Sequence, residues 1–277
     1  MIAILGTGLL GSNFARALMK RGEGVQVWNR TFDRARSLEA EGAHAFADAA
    51  EAVRGADRVH IVVSDDAAVD GVLAAAKLPA GALVIDHTTT STAGARARTA
   101  RGDLTYVHAP VFMGPQNALE STGLMLLSGE RARVERVKPL VTPMTGKVLD
   151  LGERPDAAAA FKLMGNTFLM AFTAGIGDML GLAKACGIAA DEAVGLFEHF
   201  NPGTFTLPRA RRMAGGEFAQ PSWELAMARK DARLVEGETH AANVALTLLP
   251  AIAAKMDAMI DRGHAHDDWS VIAKDFV

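Results

Sequence analysis

Lys162 and Asn166 stand four residues apart in a long Ala-, Met- and Leu-rich stretch, so a helix there carries both on one face. A lysine on such a helix is most often a surface residue whose stem lies along apolar neighbours. Here Phe161, Leu163, Met164 and Phe168 crowd it, which argues against an exposed helix. A partly buried lysine has its pKa pushed down, because desolvation disfavours the charged form. Such a group can hand a proton to an oxygen as hydride reaches a carbonyl carbon, and take it back in reverse. Protonated throughout, it would still steady developing negative charge on that oxygen.

Hydride chemistry needs a carrier, and the start of the chain offers a place for one. Gly6-Thr7-Gly8-Leu9-Leu10-Gly11 follows the apolar run Ile2-Ala3-Ile4-Leu5 and opens a helix-like stretch over 12–21. A lone GxGxxG is a weak signal; between a short buried strand and a helix it is the setting of a dinucleotide-binding turn. The first glycine permits the turn, the second admits backbone to a pyrophosphate, and the third lets helix pack on strand. Free N–H groups and the positive dipole end at the helix start favour the phosphates. At the end of the second strand, where a carboxylate commonly holds a ribose 2′-hydroxyl, the chain has Asn29, then Arg30 and Thr31. Asn29 does not repel a 2′-phosphate, and Arg30, helped by Arg34, can clamp one and stack on adenine. This predicts NADP rather than NAD; an ordinary surface arginine is the alternative.

The elements that must position these groups alternate through the first half. Strands are expected at 24–28, 58–63, 82–86, 104–107 and 124–127, with helices at 33–41 and 91–101. This rhythm implies a mostly parallel sheet covered by helices on both faces. It stops near Leu151. After Pro155 only helical patterns remain, at 191–199, 223–238 and 246–262, with Pro202, Pro208 and Pro221 marking a loop-rich link. The expected fold is α/β, a doubly wound sheet over residues 1–155 followed by an all-α domain over 156–277 that begins with a long interdomain helix.

Composition narrows the partners. The chain has 277 residues, 49% hydrophobic, with a net charge of −3 and no long block of one sign, which argues against nucleic acid or an anionic membrane. The stretch 163–182 is the nearest approach to a membrane span, but Asn166, Asp178 and its glycines favour a buried helix. Cys186, the one cysteine, excludes an intrachain disulfide and reads as a buried, inert thiol; with no leader before the first strand, a cytoplasmic protein is expected. His87 and His108 read as hydrogen-bonded loop residues, and His264 and His266, with Asp267 and Asp268, as a polar turn rather than a metal site.

Several segments together resemble the β-hydroxyacid dehydrogenases, which include 3-hydroxyisobutyrate dehydrogenases and the glyoxylate and succinic semialdehyde reductases. The glycine turn with Asn29-Arg30-Thr31 resembles that family's NADP-type beginning. Asp86-His87-Thr88-Thr89-Thr90 is similar to its Asp-x-Ser-Thr turn, Ala109-Pro110-Val111 to the opening of its substrate segment, and Phe161-Lys162-Leu163 with Asn166 to its catalytic helix. Lys230-Asp231 and Asp268-Trp269-Ser270 resemble its C-terminal signatures. The resemblance implies a Rossmann domain and a small carbonyl or hydroxy acid substrate. It implies Lys162 as the acid and base, with Asn166 beside the substrate. It also implies Ser64, Thr88 and Lys230 as cofactor contacts beside Gly6, Thr7, Gly8, Leu9, Leu10 and Gly11, no metal, and a homodimer or higher homo-oligomer. For Lys230 an exposed lysine paired with Asp231 or Glu236 is equally compatible with the sequence.

The chain also departs from that pattern. Where the family continues with Ser-Gly-Gly, it reads Phe112-Met113-Gly114, then Pro115-Gln116-Asn117. Bulky apolar residues there favour a larger or more apolar carbonyl substrate, with Gln116 and Asn117 as spare donors. Asp156 and Ala158 take the places of a glycine pair, and Gly165 that of an asparagine. Two other functions fit the same architecture: an imine reductase, a class that typically lacks the lysine, and a non-catalytic NADP-binding protein, which needs no lysine–asparagine pair.

Overall fold

The computed structural model describes all residues, Met1–Val277. Its contacts divide the chain into two compact units, Met1–Asn166 and Thr167–Val277. The first unit begins β1 (Ile2–Leu5), α1 (Leu9–Met19), β2 (Val25–Trp28), α2 (Phe32–Arg36), β3 (His44–Phe46), α3 (Ala49–Ala52), β4 (Arg58–Ile61) and α4 (Asp66–Ala76). It continues β5 (Ala82–Asp86), α5 (Thr92–Thr99), β6 (Leu104–His108), β7 (Val111–Phe112), α6 (Pro115–Glu120), β8 (Leu124–Leu127), α7 (Arg131–Val141) and β9 (Lys147–Asp150). Six strands form a parallel sheet in the order β3-β2-β1-β4-β5-β6. The order reverses beside β1, which leaves a crevice at the strand C-termini.

Alternation along β1 shows why both faces are covered. Ile2 and Ile4 pack with Phe14, Leu18, Val25 and Val27, whereas Ala3 and Leu5 pack with Val59, Ile61, Val69 and Leu73 on the other side. A second, three-stranded sheet, β7-β8-β9, pairs β7 with β8 antiparallel and β8 with β9 parallel.

The expected α/β sheet is present, with local differences. The single helix expected at 33–41 is broken: α2 ends at Arg36 and a separate turn, Glu39–Glu41, closes on Gly42 in a left-handed conformation. Residues 44–46 are a strand and 49–52 a short helix capped by Asp48, both too short for a periodic pattern to reveal.

A helix of 29 residues, α8 (Ala157–Ala185), joins one unit to the next. In the second unit follow α9 (Ala190–Val194), α10 (Leu196–His199), α11 (Thr206–Ala214), α12 (Leu225–Ala241) and α13 (Leu249–Met259), around a core of Phe218, Leu225, Ala228, Ala232, Met256, Met259 and Val271. The stretch around Pro208 is helix rather than link: this proline sits in the first turn of α11, where its missing N–H would have had no partner. Asp268 is buried and ties the segment over 212–222 to the last turn of the chain. It accepts hydrogen bonds from Arg212 Nη1 at 2.6 Å, Ser222 Oγ at 2.8 Å and Ser270 Oγ at 2.6 Å. Burial opposes its ionisation, but these donors hold the carboxyl far below the usual range.

Two expectations are corrected. Cys186 is exposed, because α8 ends at Ala185 and the thiol lies on the turn beyond it. The apolar stretch 163–182 is not a buried helix in this chain: Met164, Phe168, Leu169 and Met170 are each more than half exposed. By length and composition alone α8 is long and apolar enough to cross a membrane. The apolar pattern marks a face that needs cover, and the chain itself leaves most of it bare.

Candidate active site

The glycine turn leaves β1 at Gly6, whose φ of 106° is open to glycine alone and whose added Cβ would collide with the Val62 carbonyl. A Cβ on Gly11 would collide with the Gly6 carbonyl, so this glycine lets α1 sit against the turn. Gly8 differs: a Cβ there would meet nothing within 4 Å. That open space faces a cleft of about 960 Å³, lined also by Leu9 and Leu10. Gly8 is the N-cap of α1 and no side chain caps the helix, so its first N–H groups are left for a ligand. A pyrophosphate fits this cradle by shape and by charge.

The end of β2 is tied to the turn. Thr7 N–H donates to Asn29 Oδ1 at 3.1 Å, and Asn29 Nδ2 donates to the Thr31 carbonyl at 3.0 Å. Asn29 thus braces the loop, and Thr7 is buried behind it. Arg30, Thr31 and Arg34 line the cleft, with both arginines exposed and in no ion pair.

The opposite wall comes from the ends of β4 and β5. Ser64 lines it beside Asp65, which caps α4 by accepting from Ala68 N–H at 2.9 Å. Thr88 Oγ1 accepts from Val63 N–H at 3.1 Å. Beneath this turn the buried Asp86 accepts from Thr88 N–H at 2.9 Å and from Tyr106 Oη at 2.5 Å. Asp65 and the start of α4 escaped the sequence reading, although Ser64-Asp65 after a strand and before an apolar helix is a capping signal.

His87 lines the cleft at the end of a buried relay. Arg58 Nε donates to His60 Nε2 at 3.1 Å, His60 Nδ1 lies 2.9 Å from His87 Nε2, and His87 Nδ1 lies 2.8 Å from the Ala109 carbonyl. The arginine only donates, so each ring carries its proton on Nδ1 and passes a hydrogen bond forward. Burial pushes His87 down to about 4 and His60 well below its ordinary value, so both rings are neutral at pH 7. His108 is likewise buried, with Nε2 2.8 Å from the Thr88 carbonyl. In the second unit His264 pairs with Asp267 and His266 with Glu224.

Lys162 reaches the cleft from the first turns of α8. That helix start is anchored within the first unit: Ala158 N–H donates to Ser128 Oγ at 2.9 Å, and Arg96 and Arg154 both hold the buried Asp156. Lys162 is only 9% exposed, and its Nζ stands 4.2 Å from the centre of the Phe112 ring. It forms no ion pair, and burial pushes its pKa below that of an ordinary lysine. Met113 lines the same cleft. Gly114 instead starts α6, its N–H donating to Asn117 Oδ1. Gln116 pairs with Glu120 and Asn117 Nδ2 with Thr122, which engages one N–H of each amide. Asn166, one turn beyond Lys162, closes the first unit. Lys230 belongs to the second unit, where it is half exposed and pairs with Asp231 at 2.8 Å.

Residues 1–152 match the family model described as the NAD binding domain of 6-phosphogluconate dehydrogenase. An NAD-dependent L-serine dehydrogenase of Pseudomonas aeruginosa is 27% identical over 99% of this chain and 97% of its own length. A 3-sulfolactaldehyde reductase of Escherichia coli is 25% identical over 98% and 94%. A probable 3-hydroxyisobutyrate dehydrogenase of Mycobacterium tuberculosis is 29% identical over 98% and 96%. Among solved structures, an imine reductase from Myxococcus stipitatus in complex with NADP+ superposes with a TM-score of 0.92 at 20% identity over 99% of both chains, which shows a common fold. With that domain at its start and hydroxyacid dehydrogenases as relatives along its length, the chain belongs to the β-hydroxyacid dehydrogenase family of pyridine-nucleotide-dependent oxidoreductases.

Proposed function

We propose that this protein is an NADPH-dependent reductase of a small carbonyl compound, or a hydroxy acid dehydrogenase in reverse, with Lys162 as general acid and base. The observation that carries it is a buried lysine with no anionic partner on the wall of the cleft that the glycine turn opens. NADPH, when bound, supplies the hydride. Lys162 Nζ donates a proton to the carbonyl oxygen, and its lowered pKa makes the transfer easier. Asn166 lies on the same helix face to steady the substrate. Met113, on the cleft wall, presents apolar surface to it. Arg30 and Arg34, with no carboxylate at the end of β2, support the 2′-phosphate.

The test is an NADPH- and NADH-oxidation screen over aldehydes, 2-oxo acids, β-keto acids and imines. NADPH should be preferred; a clear preference for NADH overturns that part. Lys162→Met should lower kcat by roughly 10²–10⁴-fold while NADPH still binds. Reduction by the wild type should fall at a pH below the ordinary lysine value, since the acid form is then lost. Turnover of imines alone, undiminished in Lys162→Met, would favour the chemistry named for the imine reductases of the same fold. Tight NADPH binding with no turnover would favour a binding protein.

The exposed apolar face of α8 is assigned to a second copy of this chain, in a homodimer or higher homo-oligomer. A lipid surface fits less well, because Lys162, Asn166 and Asp178 interrupt the helix. A cytoplasmic setting accords with the single unpaired cysteine.

A further inference from the structure

Phe112 and Gly165 meet in a way the reaction scheme leaves unused. Gly165 lies three residues after Lys162 on α8, on the flank that the Phe112 ring touches. A Cβ on Gly165 would lie 2.6 Å from the ring's Cε1 and collide with its Cζ. The ring therefore rests on bare helix backbone, and only glycine leaves it room. The backbone that carries the ring is held as well: Gly123, with φ of 86°, packs so closely on it that a Cβ there would lie 2.9 Å from the Phe112 carbonyl oxygen and 2.8 Å from Met113 Cγ. The face of the ring so held carries the Lys162 ammonium at 4.2 Å.

We propose that Phe112 and Gly165 are a positioning pair for Lys162, the glycine opening the helix flank to the ring and the ring holding the ammonium where a carboxylate would otherwise do so. An aromatic face attracts a cation without accepting a hydrogen bond in the way a carboxylate does. No oxygen acceptor then competes with the substrate oxygen for the N–H donors that face away from the ring. A carboxylate partner would occupy one or two of them and raise the lysine's pKa, making it a poorer acid. The other titratable groups on the cleft wall are Arg30, Arg34, Asp65 and His87, and none is in ion-pair contact with Lys162. The inference rests on Lys162 as proton donor for its role in turnover, but the ring–ammonium contact is measurable without turnover.

The experiment is titration of Lys162 by NMR of reductively ¹³C-methylated protein, assigned with Lys162→Arg, in Phe112→Leu, Phe112→Tyr, Gly165→Ala and the Phe112→Leu/Gly165→Ala double variant. Removing the ring face removes attraction for the charged form. Phe112→Leu should therefore lower the titration point by roughly one pH unit and move the alkaline limb of kcat/KM for carbonyl reduction the same way. Phe112→Tyr places its hydroxyl on the Cζ that already abuts Gly165, so it should displace the ring and shift the titration as Gly165→Ala does. Gly165→Ala should displace the ring and behave like Phe112→Leu, and the double variant should be no worse than either alone, the non-additivity of residues acting through one contact. A Phe112→Leu protein that titrates as wild type overturns the proposal, as does a Gly165→Ala effect of equal size with and without the ring. If the wild type reduces no carbonyl, the titration still decides the pair; if Lys162→Met keeps its turnover, the catalytic reading fails and the titration stands.

Discussion

The three glycines of the first turn do three different jobs, and the geometry separates them. Gly6 and Gly11 face protein atoms, whereas Gly8 faces open space and has ordinary extended backbone, φ −68° and ψ −172°. Gly8→Ala should therefore leave Tm near wild type and weaken NADPH binding at least about tenfold, since a methyl enters the phosphate cradle. Gly11→Ala should lower Tm instead. Equal effects of the two on Tm would refute the distinction. These roles were legible in the sequence because strand, glycine spacing and helix are adjacent in the chain. The Phe112 ring under Lys162 was not, because the two are joined only by the folding of β7 against α8. The contact between His60 and His87 escaped for the same reason. His60 and His87 have pKa values below those of the unfolded chain, so the unfolded state binds more protons and stability falls as pH drops below about 6.5. His87 alone, held at about 4, should cost about 2 kcal/mol by pH 5, before the carboxylates titrate. Urea denaturation at pH 7 and pH 5 measures this, and His87→Gln should flatten the difference.

Among the elements, α8 and α13 show how one polar residue in an apolar helix finds its use. The Asp178 carboxylate accepts from the N–H groups of Thr247, Leu248 and Leu249 at 2.6, 2.8 and 2.9 Å, capping the start of α13. Burial opposes its ionisation, and the three N–H donors outweigh it. Asp178→Ala should destabilise the protein by about 1–2 kcal/mol, the usual cost of a lost cap, read as a lower urea midpoint without loss of NADPH affinity. Unchanged stability would show that water caps α13 equally well. Long periodic elements were visible in the sequence. The strands His44–Phe46, Val111–Phe112 and Lys147–Asp150 were not, since two to four residues carry too little alternation to stand out.

At the scale of the molecule, the exposed side of α8 is what the proposed second copy would cover. Phe168, Leu169 and Met170 form apolar surface of a kind that marks an interface. Sedimentation velocity should find a dimer or larger at micromolar concentration, and Phe168→Asp should shift it toward monomer; a monomeric wild type removes the assignment. The paired fit of Phe112 and Gly165 has a historical consequence as well. While any side chain stands at position 165, the flank that receives the ring is closed, so glycine must arrive first or together with phenylalanine. Once the ring is seated, every substitution of that glycine meets it. The two positions therefore change in a fixed order, glycine before phenylalanine on the way in and phenylalanine before glycine on the way out.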